Sequence, residues 1–132
     1  LDGSGSPAER LRTVIRLHLR FIGGRKGLPR LLLSDRLHLE NPRLKDMVLA
    51  IMARYTTALS GLIREGIDHG EFRSDLDPDR TAGMLIAMIQ GTVVRWSLSE
   101  FAFRIEDSAE DLWALLGPAL GAPDTAPGSA AG

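Results

Sequence analysis

The stretch from Asn41 to Gly70, NPRLKDMVLAIMARYTTALSGLIREGIDHG, decides the fold. Its apolar side chains fall at Leu44, Met47, Val48, Ile51, Met52, Tyr55, Ala58, Leu59, Leu62, Ile63 and Ile67. Steps of three and four residues line one face of an α-helix, whereas a half-buried strand would alternate every second residue. The opposite face carries Lys45, Asp46, Arg54, Arg64, Glu65 and Asp68. The pattern holds for about seven turns, ~40 Å of helix. Asn41 precedes Pro42 as a capping residue precedes a first-turn proline, and Gly70 stands where a helix stop is expected.

The same punctuation recurs on both sides. Ser6-Pro7-Ala8-Glu9 opens a helix with a capping residue, a proline at its first position and a glutamate placed for a capping box. Leu11, Val14, Ile15, His18, Phe21 and Ile22 then share a face, and Gly23-Gly24 ends the segment. Leu28 to about Leu39 reads as a short helix, with Leu31, Leu32 and Leu33 burying it on more than one side. Asp77-Pro78 starts a helix running to about Ser99. From Ala82 to Val94 almost every residue in it is apolar or small. A helix apolar all round must be covered all round. Gly83, Ala87 and Gly91 form a small-residue stripe, which suits either a helix of a second subunit or close packing inside one chain. A last helix begins at Asp107 or Ser108, with Glu110 and Asp111 in its first turn, and presents Leu112, Trp113, Leu115, Leu116, Ala119 and Leu120.

The expected fold is therefore all-α, a bundle of about five helices. Residues 1–6 read as a linker or an expression remnant, 7–121 as the helical domain and 122–132 as a disordered tail rich in Ala, Pro, Gly and Ser. A chain of 132 residues fits one domain, and its first residue, Leu1, suggests a fragment or processed product. Apolar residues at 44% and charged ones at 25% are globular proportions. A net charge of −1 supplies no general attraction to nucleic acid or to an anionic membrane. The chain has no cysteine, which excludes disulfides and thiolate metal sites and fits the cytoplasm. No purely apolar run approaches the ~20 residues of a membrane span, so no membrane partner is expected.

Motifs that would carry chemistry are weak. Asp75, Asp77 and Asp79 open like a calcium loop, but its glycine and glutamate positions hold Arg80 and Ile86. Asp77 as a helix cap is the simpler account. Of the histidines at 18, 38 and 69, His69 sits one helical turn from Glu65 and could share a metal with it, but two ligands do not make a metal site. Ser34-Asp35 and Ser60-Gly61 lie within helical patterns, away from any strand-turn-helix elbow. Gly23-Gly24-Arg25-Lys26-Gly27 follows no strand and reads as a basic helix connection rather than a phosphate loop. Neither an enzyme, a metal nor a cofactor is expected. His18 on an apolar face is either a buried histidine with one hydrogen bond or a ligand contact, and Tyr55 poses the same choice. Met47, Met52, Met84 and Met88 fill a core by default and adapt to ligands otherwise.

The stretch Gly66 to Asp79 resembles a recurring junction of TetR-family regulators: a long helix ending in G-x-x-x-G-x-F (Gly66, Gly70, Phe72), then a helix opening after Asp77-Pro78. Ala82 to Trp96, centred on Ile89-Gln90-Gly91, is similar to that family's penultimate helix, and Ser108 to Leu120 to its last. The resemblance covers about residues 8–121. It implies a regulatory domain whose last two helices pair with a second copy into a four-helix bundle. It also implies a small-molecule cavity among the central helices and a helix-turn-helix domain, expected to be absent from this chain, that grips operator DNA.

On that resemblance the expected function is effector binding and homodimerisation, most often to release a repressor from DNA. The ligand contacts expected are His18, Phe21, Ile51, Tyr55, Met88 and Thr92, a mainly apolar set suited to a hydrophobic or aromatic effector. The dimer contacts expected are Ala87, Gly91, Val94 and Arg95, with Leu112 and Leu116; Trp96 and Trp113 fit either surface or core. The rival reading is a ligand-free helical dimerisation module.

Overall fold

Proline-led starts and glycine stops set the helices. A computed structural model describes residues 5–27 and 39–122. It contains α1 (Pro7–Gly23), α2 (Pro42–Asp68), α3 (Pro78–Leu98), a 3₁₀ turn (Ile105–Asp107) and α4 (Ser108–Leu120), with no strand among the described residues. The short helix expected from Leu28 lies outside them except for Leu39, and so does the tail beyond Ala122.

All three expected caps form. Ser6 Oγ accepts from the Glu9 amide at 3.2 Å, Asn41 Oδ1 from Leu44 at 3.2 Å and Asp77 Oδ1 from Arg80 at 3.0 Å. Each satisfies an amide that the helix itself leaves unpaired, worth about 1 kcal/mol. The junction after α2 shows why its motif has two glycines and a phenylalanine. Gly70 takes φ +77°, and the amides of Glu71 and Phe72 both donate to the Gly66 carbonyl, at 2.9 and 3.0 Å. Phe72, 4% exposed, is folded so tightly against Gly66 that a β-carbon there would sit 2.2 Å from its ring.

α1 packs between α2 and α4, and α2 packs along α3. α1 and α2 are antiparallel: Arg10 meets Glu65 near one end, and His18 meets Tyr55 towards the other. The core joins Leu11, Ile15 and Leu19 of α1, Leu59, Leu62 and Ile63 of α2, Leu85, Ile89 and Trp96 of α3, Ile105, and Leu112 and Leu120 of α4. Trp96 is thus core; its indole N–H donates to the Phe103 carbonyl at 2.8 Å, and its ring meets Phe101 edge-on at 4.7 Å. Trp113 is half-buried against the core.

Two stripes differ from the sequence pattern. Leu19, not Phe21, continues the buried face of α1, and Phe21 lies on the surface beneath the Arg25 guanidinium, 3.7 Å from its ring centre. On α2 only the C-terminal half buries its stripe, while Met47 and Ile51 are 60% and 63% exposed. α2 is also, among the described helices, long and apolar enough to cross a membrane by length and composition, although interspersed charges such as Lys45, Asp46 and Arg54 keep it from being a purely apolar run. Leu59, Leu62 and Ile63 use that apolarity within the domain.

Candidate functional site

The antiparallel seam of α1 and α2 opens into a cleft of about 310 Å³, lined by Arg10 and Val14 of α1 and by Tyr55, Ala58, Leu59, Gly61, Leu62 and Glu65 of α2. Residues 10, 14 and 18 are successive turns of one face of α1, which is why Arg10, Val14 and His18 all point towards α2. The walls between the two polar ends are aliphatic. At one end Arg10 Nη1 donates to Glu65 Oε1 at 2.8 Å. Beyond Tyr55 at the other, His18 Nδ1 lies 2.8 Å from the Tyr55 hydroxyl, with the rings edge-on at 5.1 Å.

The burial that makes this pair also tunes it. Desolvation lowers the His18 pKa below the ordinary imidazole value of 6.5 and pushes the Tyr55 phenol up to about 12. At neutral pH both groups are therefore uncharged, and either neutral tautomer of His18 can make the bond.

Of the expected ligand contacts, the structure brings His18 and Tyr55 together, and Tyr55 lines the cleft. Phe21 and Ile51 stand on the surface. Met88 is half-buried against the core, and the Thr92 hydroxyl donates to the Met88 carbonyl of its own helix at 2.8 Å. Arg10, Val14, Ala58 and Glu65 were missed. Arg10 shares the face of Val14 and His18, and antiparallel pairing sets it opposite Glu65, so opposite charges at matching ends of two helices were the available signal.

A second feature lies on α3. Ala82, Leu85, Ile89, Val93 and Trp96 are buried, whereas Gly83, Met84, Ala87, Gly91, Arg95 and Leu98 are exposed, Met84 at 71% and Leu98 at 79%. A β-carbon added at Gly83 or Gly91 would have nothing within 4 Å. Of the other expected dimer contacts, Val94 and Leu116 are half-buried and Leu112 is spent on the chain's own core; Leu115, which was not among them, is exposed. No group of three or more potential metal ligands occurs among the described residues.

The described residues thus form a helical domain with an open seam between α1 and α2 and an apolar outer stripe on α3. Residues 4–115 match the family model of the tetracyclin repressor-like C-terminal domain, and the chain belongs to this family. It is 29% identical over 116 residues to the nucleoid occlusion factor SlmA of Vibrio vulnificus (strain YJ016), covering 88% of this chain and 59% of that protein. With SlmA of Vibrio atlanticus (strain LGP32) the identity is 30%, with the same coverage. The chain thus spans under two thirds of the length of these relatives. In fold it is similar to the transcriptional regulator FadR of Bacillus subtilis, solved in complex with stearoyl-CoA, with a TM-score of 0.74 at 24% identity over 86% of this chain and 61% of that one.

Proposed function

We propose that the chain is the effector-binding and homodimerisation half of a cytoplasmic transcriptional regulator of the TetR type, without catalytic activity of its own. The observation that carries the reading is the outer stripe of α3, where Gly83, Met84, Ala87, Gly91 and Leu98 expose small and apolar surface along successive turns. Water gains little from such a stripe, and a second copy can bury it with close helix approach because the glycines remove side-chain bulk. Val94, Arg95, Leu115 and Leu116 flank that contact. The cleft on the α1–α2 seam supplies a place for a small hydrophobic or aromatic effector, with Tyr55 and His18 as its polar anchor. FadR, similar in fold, was solved with an acyl-CoA, which is consistent with an effector that has an apolar chain.

Operator DNA would be reached through a helix-turn-helix unit joined ahead of α1. An effector preferring one arrangement of the dimer would then move two such units off their half-site spacing, relieving repression through a coupling of ~1–3 kcal/mol. Light scattering across a concentration series tests the first half of the proposal. A mass of twice 14.4 kDa is expected, and a monomer at all concentrations would overturn it.

A second reading is favoured by the relatives named for nucleoid occlusion rather than for an effector. In that case the domain is a dimerisation module whose cleft stays empty. Both readings give a dimer. Calorimetric titration with small apolar compounds separates them, because only the first expects binding that Tyr55→Ala weakens.

A further inference from the structure

The Arg10–Glu65 pair closes one end of the α1–α2 cleft unevenly. Its contact runs through Nη1 alone, at 2.8 Å. Arg10 Nε is enclosed and has no hydrogen-bond partner among the described residues. The Arg10 side chain is 23% exposed and that of Glu65 40%. Glu65, the more exposed partner, can therefore swing into water, whereas the Arg10 side chain stays mostly covered with only its Nη1 engaged. A guanidinium binds a carboxylate best through two parallel N–H donors, and a single contact leaves that geometry unused. Next to this end the walls are Val14, Ala58, Leu59 and Leu62, which offer an alkyl or aryl body nothing polar to displace.

We propose that Arg10 is the anion anchor of the cleft, and that its ligand is an amphiphilic carboxylate whose acid group takes the place of Glu65. The inference rests on the reading of the cleft as the effector site. No covalent step is involved: the ligand carboxylate replaces that of Glu65 on the same guanidinium, the displaced Glu65 carboxylate turns to solvent, and the complex carries one more negative charge than the free protein. The apolar body lies along Val14, Ala58, Leu59 and Leu62 towards Tyr55. Arg10 belongs to the first turns of α1, where Glu71 Oε2 also accepts from the Ala8 amide at 3.3 Å. Exchange at Arg10 therefore changes what ties that end of α1 to α2.

The test compares decanoate with decanol, titrated calorimetrically into the full chain, and reads the ratio of their affinities. Wild type should favour the acid by at least about tenfold, which is about 1.4 kcal/mol. Arg10→Gln should bring the ratio close to one. Glu65→Gln should raise it several-fold, because the competing carboxylate is gone; this variant decides the matter even if Arg10→Gln fails to fold. A wild-type ratio near one, or a ratio unmoved in Glu65→Gln, overturns the anchor while leaving the cleft as a binding site. Failure of both compounds to bind overturns the anchor for an alkyl carboxylate, while the effector reading stands or falls on the separate titration with small apolar compounds.

Discussion

His18 Nδ1 and the Tyr55 hydroxyl, 2.8 Å apart, join α1 to α2 beside the cleft through two groups that burial keeps uncharged. The contact gives stability a dependence on pH. The folded-state pKa of His18 lies below that of the unfolded chain, so the unfolded state takes up the proton first as pH falls. His18 stability is fully present above the unfolded value near 6.5 and declines as pH drops below it, towards the lowered folded value. Urea midpoints should therefore fall between about pH 7.5 and about pH 5.5, and His18→Gln should flatten part of that slope. An identical slope in the variant would remove His18 as the cause.

Tyr55→Phe keeps the ring contact and deletes the hydroxyl. The half-buried imidazole then loses its partner, at a cost of about 1 kcal/mol in denaturant unfolding at neutral pH. The same substitution should weaken any ligand whose polar group reaches this end of the cleft. A stability loss with no change in ligand affinity would make the pair purely structural.

Glycines within one helix should respond in opposite ways. Gly66→Ala places a β-carbon 2.2 Å from the Phe72 ring, so the turn must open or Phe72 must leave its site. A loss of about 1–3 kcal/mol is expected, typical of overpacking. Gly61→Ala meets nothing within 4 Å and should gain about 0.5–1 kcal/mol from helix propensity alone. Because Gly61 lines the cleft, that gain should come with weaker ligand binding. Chemical denaturation of the two variants side by side checks the opposite signs.

What the sequence made legible follows from how local each signal is. The caps at Ser6, Asn41 and Asp77 depend on residues three positions apart, and all three form as read. Gly66, Gly70 and Phe72 could be recognised as a junction, although only the fold shows that Gly66 is small to admit the Phe72 ring. Periodicity fixes a helix face but not its neighbour. Phe21 and Leu19 are two positions apart and both apolar, and the packing of α1 between α2 and α4 buries Leu19 alone. Ile51 and Ile63 sit on one continuous stripe, and only the half of α2 that faces α1 and α3 is covered. Tyr55 and His18 could be named singly as candidates. Their pairing, and that of Arg10 with Glu65, required the antiparallel register of two helices, which no single-helix pattern contains.

Trp96 tests the segment between α3 and α4. Its indole N–H bonds to the Phe103 carbonyl and its ring rests against Phe101, whose φ of +62° follows +58° at Glu100. One side chain thus holds an unusual backbone path in place. Trp96→Phe deletes the donor and leaves a smaller ring in a site 2% exposed, with an expected cost of about 1–3 kcal/mol. Amide exchange from residues 99 to 104 should quicken more than exchange in α1. Equal acceleration across the chain would show general destabilisation instead.

The outer stripe of α3 gives the sharpest test of assembly. Gly91 is exposed and has open space where a side chain would go, so a single chain tolerates Gly91→Glu without a clash. Replacing the glycine also favours the helix, so at concentrations where both are monomeric the variant should melt no lower than wild type; at higher concentrations it lacks the stability that self-association gives the wild type. In a dimer with that stripe at its centre, the same change sets a carboxylate against its symmetry mate in apolar surroundings, where an unpaired charge is costly. Ala87→Glu, one turn earlier on the same face, acts alike. Each substitution should weaken self-association at least about tenfold in sedimentation equilibrium. Lys45→Glu, exposed on α2, changes charge by twice as much and should leave the mass unaltered. If Gly91→Glu and Ala87→Glu both keep the wild-type mass, the stripe is not the contact. If Gly91→Glu melts earlier than wild type at a concentration where both are monomeric, the outer face of α3 is needed by the single chain after all.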